Sequence, residues 1–541
     1  MLNSNRSKSA LLIIIILFAA FLVRIFGIGF GLPYIHKFDE PTLVDRALVM
    51  MKTGDFNPHF FNYPTLYIYL QLIVYVADYF YGMGSGYISS LDDIKTQTDT
   101  GWPWTVSHPF FHLSGRLLTC ILGTITVYLI YVIGRTLYNE QFGLVAALFL
   151  AFSPGHVNHS RFISPDVPGT FFITLSILFA SFIFKDGTKI SYILAGLFAG
   201  FSISTKYNNF LVIIPLILAH ILNAKKEKVF SKNFFLMLFY LVFGFYLGCP
   251  YALWDLSNFL RGTGWEVAHY KFLGNPGAEG KNNWLFYLSS FYDDSILSMG
   301  EPSGYSMGSL LFIFCVLGLF WGILRNHKNY LFLISFPILH YIFMSIQKTR
   351  FLRSMTPILP FACILASVGM FIILDNLISR FSNLQKYKNI IAASFSLILI
   401  SMPALKSISY AKELHNSKDS RRMAAEWIKE HVEKGAKIAI AKELHFRFND
   451  LKVKNFKLIE SGIGYGLKWY RENNISYIIT SNKVSFFWPS GDQVAKDILK
   501  EINKKDYFKG MTVIKSFASE YLFLDAPPVN PRVIIVQVKK P

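Results

Sequence analysis

The chain has 541 residues, of which 52% are hydrophobic and only 16% charged, against about 25% charged in an ordinary soluble protein; a soluble globular enzyme is excluded. The net charge of +19 does not mark a nucleic-acid binder, because much of it sits in short clusters between apolar runs, the pattern that retains loops on the cytoplasmic side of a membrane. The four cysteines, Cys120, Cys249, Cys315 and Cys363, lie in or at the ends of apolar runs and read as packing residues without a disulfide framework.

In chain order, residues 11–32 (LLIIIILFAAFLVRIFGIGFGL) are long enough to cross roughly 30 Å of hydrocarbon at about 1.5 Å per residue. This run is too long for a signal peptide, lacks a small-residue cleavage site, and is followed by more like it. Further spans are expected at 113–135, 139–155, 167–185, 190–204, 208–223, 233–250, 306–325, 330–347, 354–375 and 389–405, with the first at 10–31. That makes about eleven, although 190–204 and 208–223 are short enough to form one bent hairpin. With the N-terminus cytoplasmic, the clusters Arg6/Lys8, Arg135, Lys185/Lys189, Lys225–Lys232, Arg325/Lys328 and Arg380/Lys386/Lys388 all fall inside.

Three segments are then external. The first, 32–112, holds Asp39-Glu40, an amphipathic helix in PTLVDRALVMMKTGD, and the aromatic stretch NYPTLYIYLQLIVYVADYFY. Counting that stretch as a span would reverse every later loop, so it reads as an interfacial or re-entrant helix. The second is the turn HVNHSRFISPD, and the third, 251–305, is rich in Gly, Asn and Trp and could cover a site from above. From 406 the character changes. Residues 406–541 hold 25 Lys/Arg and 15 Asp/Glu, DSRRMAAEWIKEHVEKG has helical periodicity, and AKIAIA, ISYIITS and RVIIVQV read as buried strands, with a helical SGIGYGLKWYRENN before the second. The expected fold is a polytopic α-helical membrane domain over 1–405 with a small soluble α/β domain over 406–541 on the outer face. No GxGxxG, P-loop or metal-type spacing appears in the tail.

Residues 1–380 resemble the GT-C glycosyltransferases, in particular the branch of the dolichyl-phosphate-mannose protein mannosyltransferases and the bacterial aminoarabinose lipid A transferases. The resemblance is carried by Asp39-Glu40 after the first span and by ALVMMKTGDFNP followed by NYPTLYIYL. It continues in HLSGRLLTCILGTITVYLIYVIGRTLYNEQFGLVAALFLAFSPGHVNHSRFISPDVPGTFF with Arg116, Ser153-Pro154, Ser160-Arg161 and Asp166, and in Lys206-Tyr207 and KTRFLRSMTPILPFACILAS. Asn62 departs from the Lys that many relatives carry before the Pro. The resemblance implies an inverting transfer of a sugar from a polyprenyl-phosphate monosaccharide to an acceptor hydroxyl on a lipid, glycan or protein at the outer face of the plasma membrane. A polymerase or ligase using a diphosphate-linked oligosaccharide, a non-catalytic scaffold and a transporter are the rival readings; a transporter's charges should lie near the midplane, and these do not.

On this reading Asp39 is the general base and Glu40 orients it or binds the acceptor, while a helix beginning at Pro41 would also attract both carboxylates to its first turn. By resemblance Asp166 is the second acidic group of the site; a helix N-cap explains it as well. Arg161, Lys206, Lys348, Arg350 and Arg353 map to the outer ends of spans, where positive charge is scarce, and could neutralise a leaving phosphate or snorkel to headgroups. Arg161 and Lys206 could instead pair with Asp166. His156 and His159 with Asp166 are candidates for a divalent metal. Tyr63, Tyr67, Tyr69 and Trp284 could stack on a sugar or belong to the aromatic belt.

Overall fold

The computed structural model describes residues 2–33, 39–96, 108–223, 228–274, 283–292, 307–325, 328–416, 420–440, 456–460, 467–481, 511–517 and 533–538. Its helices are α1 (Leu2–Ile25), α2 (Asp39–Thr53), α3 (Leu66–Gly84), α4 (Pro109–Leu137), α5 (Glu140–Ala151), α6 (Pro154–His159), α7 (Asp166–Lys185), α8 (Lys189–Ile203), α9 (Ile213–Ile221) and α10 (Lys232–Gly248). There follow α11 (Tyr251–Trp254), α12 (Leu256–Ala268), α13 (Asn283–Ser289), α14 (Ser309–Leu324), α15 (Lys328–Ser345), α16 (Leu359–Ser379), α17 (Lys388–Asn416), α18 (Ser420–His431) and α19 (Leu467–Glu472). Two 3₁₀ turns, Tyr207–Val212 and Leu352–Ile358, precede α9 and α16.

Among the described residues, Ser7–Ile25, Pro109–Leu137, Asp166–Lys185, Leu352–Ser379 and Asn383–His431 are long and apolar enough to cross a membrane. Six shorter apolar helices accompany them, and every run expected from hydropathy falls on one set or the other. Particular edges differ. The first helix stops at Ile25 because Gly27 and Gly31 take left-handed backbone angles (φ 80° and 74°), and the chain continues to Pro33 in turns. The short runs at 190–204 and 208–223 lie against each other, with Tyr192 near the start of the first bonded to His220 Nδ1 near the end of the second at 2.8 Å, while α8 also packs on α7 and α10 and α9 on α7 and α15. Helix α17 continues past 405 to Asn416, and its Tyr410 and Leu414 are buried with Phe30 and Phe162.

The aromatic stretch of the first external segment is one continuous helix, α3, packed on α2 and α4. Its entry is fastened to the far ends of two other helices: Leu66 N donates to Ser204 O at 2.9 Å, just past α8, and Thr65 Oγ1 donates to Gly248 O at 2.8 Å, the last residue of α10. The start of α3, the ends of α8 and α10, and the start of α7 therefore share one end of the bundle. At the opposite end, Gln141 donates to Asn389 at 2.9 Å and Lys388 pairs with Asp375 at 2.7 Å. Polar side chains thus gather at the two ends while α16, with Leu359–Phe371 buried throughout, runs through the middle.

The C-terminal residues form a five-stranded sheet of β1 (Lys437–Ile440), β2 (Lys457–Glu460), β3 (Tyr477–Ser481), β4 (Met511–Phe517) and β5 (Val533–Val538), in the order β2-β1-β3-β5-β4. Strand β1 is parallel to β2 and β3, and β5 is antiparallel to β3 and β4. Side chains alternate between faces: Ile438 and Ile440 pack under Ala424, Ala425 and Ile428 of α18, whereas Ala439 packs with Tyr470 of α19. Strands β2 and β4 have no counterpart in the sequence reading.

Candidate active site

Four charged side chains meet at the end of the bundle where α2 and α7 begin. Asp39 is the first residue of α2 and Asp166 the first of α7, so both carboxylates enter at helix N-termini, where the positive end of the helix dipole favours them. Lys206 lies in the extended residue between α8 and the 207–212 turn, with φ −153° and ψ 124°. Arg353 comes from the 352–358 turn, a segment that Pro357 and Pro360 keep from continuing as α-helix until α16 starts.

The geometry is a chain of opposite charges. Lys206 Nζ lies 2.5 Å from Asp166 Oδ1, and Ser164 Oγ donates to the other oxygen of Asp166. Arg353 then bridges the two helices, its Nε 3.9 Å from Asp166 Oδ2 and its Nη1 3.5 Å from Asp39 Oδ2. The carboxylate of Asp166 is turned to Lys206 and Ser164, so side-chain capping of its own helix does not account for it. Exposure is graded: the Asp166 side chain is 2% exposed, Lys206 10%, Arg353 13% and Asp39 21%. Asp39 is the open member, held by one long contact to Arg353.

Glu40 goes elsewhere. Although adjacent to Asp39, it is fully buried and takes both prongs of Arg116, at 2.9 Å from Nε and 2.7 Å from Nη2, as well as Ile163 N at 3.0 Å. Arg116 also donates to Ile28 O and Phe30 O and lies over the Phe30 ring. Where orienting Asp39 or receiving the acceptor was expected of Glu40, its oxygens here tie α2, α4 and the 26–33 turn together.

Three of the expected cations also stand apart. Arg161 is fully buried, donating to Asn158 Oδ1 at 2.8 Å and to Val23 O, with Tyr410 at its guanidinium; it serves helix packing and does not pair with Asp166. Lys348 is exposed and donates to Phe272 O, and Arg350 lies over the Phe286 ring at 4.5 Å. Residues 346–349 leave α15 in a turn and bends, and of the three basic residues only Arg353 reaches the carboxylates. The metal candidates do not assemble either. His156 Nδ1 is 3.0 Å from Arg24 Nη2, and among the described residues no three His, Cys, Asp or Glu side chains form a metal-type group.

One of the aromatic candidates lies at the site, and one residue of the site, Glu266, escaped sequence reasoning. Tyr63, one of several aromatic candidates, is within electrostatic reach of Asp39, Arg353, Glu266 and Tyr270. Tyr67 instead bonds Thr119 at 2.6 Å, Tyr69 donates to Phe56 O, and Trp284 O accepts from Tyr341. Glu266 on α12 faces Lys206, Arg353 and Asp39, and burial lifts its carboxyl to about 7 despite the pull of the two cations. The signal for Glu266 was the one acidic residue of the third external segment's LSNFLRGTGWEVA helix.

No curated protein sequence matches the chain. Residues 110–254 match the family model described as dolichyl-phosphate-mannose-protein mannosyltransferase, a stretch that includes Arg116, Asp166 and Lys206 but neither Asp39 nor Arg353. Among solved structures, the chain is similar to ArnT from Cupriavidus metallidurans bound to undecaprenyl phosphate, at 12% identity and a TM-score of 0.51 over 99% of this chain and 98% of that one. It is also similar to the Archaeoglobus fulgidus oligosaccharyltransferase (10% identity, TM-score 0.49, 87% of this chain and 69% of that one). A third likeness is to the S. cerevisiae protein O-mannosyltransferase Pmt1-Pmt2 complex bound to the sugar donor (20%, 0.32, 49% and 36%). The end-to-end likeness to ArnT shows the fold: this chain shares the multi-pass helical architecture of that structure.

Proposed function

We propose that this GT-C chain is an inverting glycosyltransferase that moves a sugar from a polyprenyl-phosphate monosaccharide to an acceptor hydroxyl. The observation that carries the reading is the pairing of a part-open carboxylate, Asp39, with two cations, Lys206 and Arg353, at one end of the bundle. The family match and the ArnT likeness support the donor class.

In this mechanism Asp39 removes the acceptor proton as the oxygen attacks the anomeric carbon. The bond from that carbon to the phosphate oxygen breaks, and its electron pair leaves with the phosphate. A carboxylate suits both tasks at that position, since it accepts a proton and its charge favours the oxocarbenium character of the transition state. Arg353 and Lys206 stabilise the departing phosphate, Arg353 by its planar fork and Lys206 as a point charge. Asp166 holds both cations in place. Glu40 and Arg116 position the first turn of α2, and with it Asp39. The site's end of the bundle lies away from the basic clusters, which supports an extracytoplasmic site at the plasma membrane, with residues 406–541 on the same side.

The test is release of polyprenyl phosphate by the full chain in nanodiscs, given a panel of polyprenyl-phosphate monosaccharides and a membrane extract as acceptor source. Donor-specific release that disappears in Asp39→Asn, with the variant still folded, is the expected result. Unchanged turnover in Asp39→Asn would remove the base assignment, and turnover with a diphosphate-linked oligosaccharide alone would replace the donor class.

A further inference from the structure

Helix α12 is a wall with two unlike faces. One face is exposed and apolar, with Leu256, Leu260 and Val267 at 50–60% exposure and Leu253 and Trp254 continuing it from α11. In a membrane protein such a face contacts lipid. The other face is fastened to the site. A side chain at Gly262 would meet Phe61 within 3.1 Å, Phe259 packs edge-on against Phe61 and Tyr207, and beyond the helix Tyr270 O accepts from the backbone of Lys348 and Thr349. This brings Glu266, on the inward face, between the bilayer side and the cations of the site.

Charge then becomes the deciding quantity. The groups that face Glu266 are Lys206 beyond α8, Arg353 of the 352–358 turn, Asp39 of α2, and the phenols of Tyr63, Tyr207 and Tyr270. With Glu266 neutral, two carboxylates balance two cations. With Glu266 ionised there is a third negative charge beside the same cations. A phosphate dianion brought to Lys206 and Arg353 would then face uncompensated repulsion at short range in a partly dry site.

Resting on the proposed use of a polyprenyl phosphate, we infer that Glu266 sets how tightly the site holds the polyprenyl phosphate monoester that transfer releases, by taking a proton from solvent when that monoester is bound as its dianion. The step forms one O–H bond on Glu266 and breaks the bond to that proton in the hydronium ion or buffer acid that supplies it. Of the three carboxyls Glu266 is the one suited to it. Asp166 is pinned by Lys206 and Asp39 is the base that the proposed transfer uses, whereas the carboxyl of Glu266 is already lifted to about 7 by burial. Below that pH it is neutral and phosphate binds without cost. Above it each binding event must draw in a proton, so affinity falls by up to about tenfold per pH unit.

The experiment is isothermal titration of farnesyl phosphate into the full chain in nanodiscs at pH 6.5, 7.5 and 8.5, in buffers of different ionisation enthalpy, with inorganic phosphate as a second probe. The wild type should take up close to one proton per farnesyl phosphate at pH 8.5 and bind about tenfold more weakly there than at pH 7.5. Glu266→Gln should take up none and bind equally at both, within about twofold, whereas Glu266→Asp should keep the uptake. Proton uptake that persists unchanged in Glu266→Gln overturns the inference while leaving the donor reading intact. Absence of farnesyl phosphate binding to the folded wild type at every pH removes the donor reading and this inference with it. Equal uptake with inorganic phosphate would keep Glu266 in its role and show that the site reads the phosphate without its prenyl chain.

Discussion

Asp39 and Glu40 share one turn of α2 and belong to different regions of the molecule. Glu40 lies in a closed wall, where a fork from Arg116 and the Ile163 amide occupy its oxygens and no surface reaches solvent. Asp39 stands on an open rim, one-fifth exposed and 3.5 Å from a single guanidinium nitrogen. The chemistry of the two carboxylates is the same; their stock of partners differs. A fully partnered carboxylate is a strut, because giving up a bond inside the protein leaves a buried charge uncompensated. A carboxylate with lone pairs to spare can accept a proton from an incoming hydroxyl. The same contrast separates Arg116 and Arg161 in the wall from Arg353 on the rim.

Four measurements would break or sharpen this contrast. The largest effect is expected in the wall: Arg116→Ala strands Glu40 and should cost about 3–5 kcal/mol, seen as loss of folded protein in detergent or a large drop in Tm. Replacing both partners, as Glu40→Gln with Arg116→Met, should recover much of that loss; a double variant as unstable as the single would mean that the pair is not the strut. Next comes the rim, where Asp39→Asn should lower transfer about a hundred- to ten-thousand-fold with Tm nearly unchanged. If Asp39→Asn unfolds the chain as Arg116→Ala does, the distinction between rim and wall fails. Lys206→Met should slow transfer about a hundred- to thousandfold, and Tm will report whether Asp166 tolerates its absence. The smallest effect belongs to Lys348→Ala and Arg350→Ala, whose contacts are a carbonyl and a ring: transfer within about threefold of wild type and stability within about 1 kcal/mol. A hundredfold loss at either would return them to the phosphate site.

Hydropathy made the apolar helices α1, α4, α5, α7–α10 and α14–α17 legible, because a span must satisfy its own backbone in hydrocarbon and its sequence must be apolar throughout, whereas α6 and α11–α13 had no counterpart in the sequence reading. Strands β1, β3 and β5 were legible for a similar local reason, as short apolar β-branched runs. Strands β2 and β4, in KLIE and MTVIKSF, carry lysines and little alternation, and exist through pairing with neighbours β1 and β5. Within the site, Asp39, Asp166, Lys206 and Arg353 could be proposed from their places at span ends, but so could Arg161, Lys348 and Arg350 on the same grounds. Glu266 gave almost no signal, a single acid in a loop helix.

What the amino-acid sequence determined by itself is therefore the membrane character, the order of the helices, the end of the bundle at which charges would collect, and the resemblance to GT-C chains. Each depends on composition or pattern within a short stretch. Tertiary structure alone decided which of those charges touch. Glu40 is a strut because α4 brings Arg116 to it across 76 residues of chain, and Arg353 joins the site because α2 and α7 start within reach of its turn. Burial and partnership are properties of the packed neighbours, and two adjacent residues with nearly the same side chain can receive opposite assignments from them.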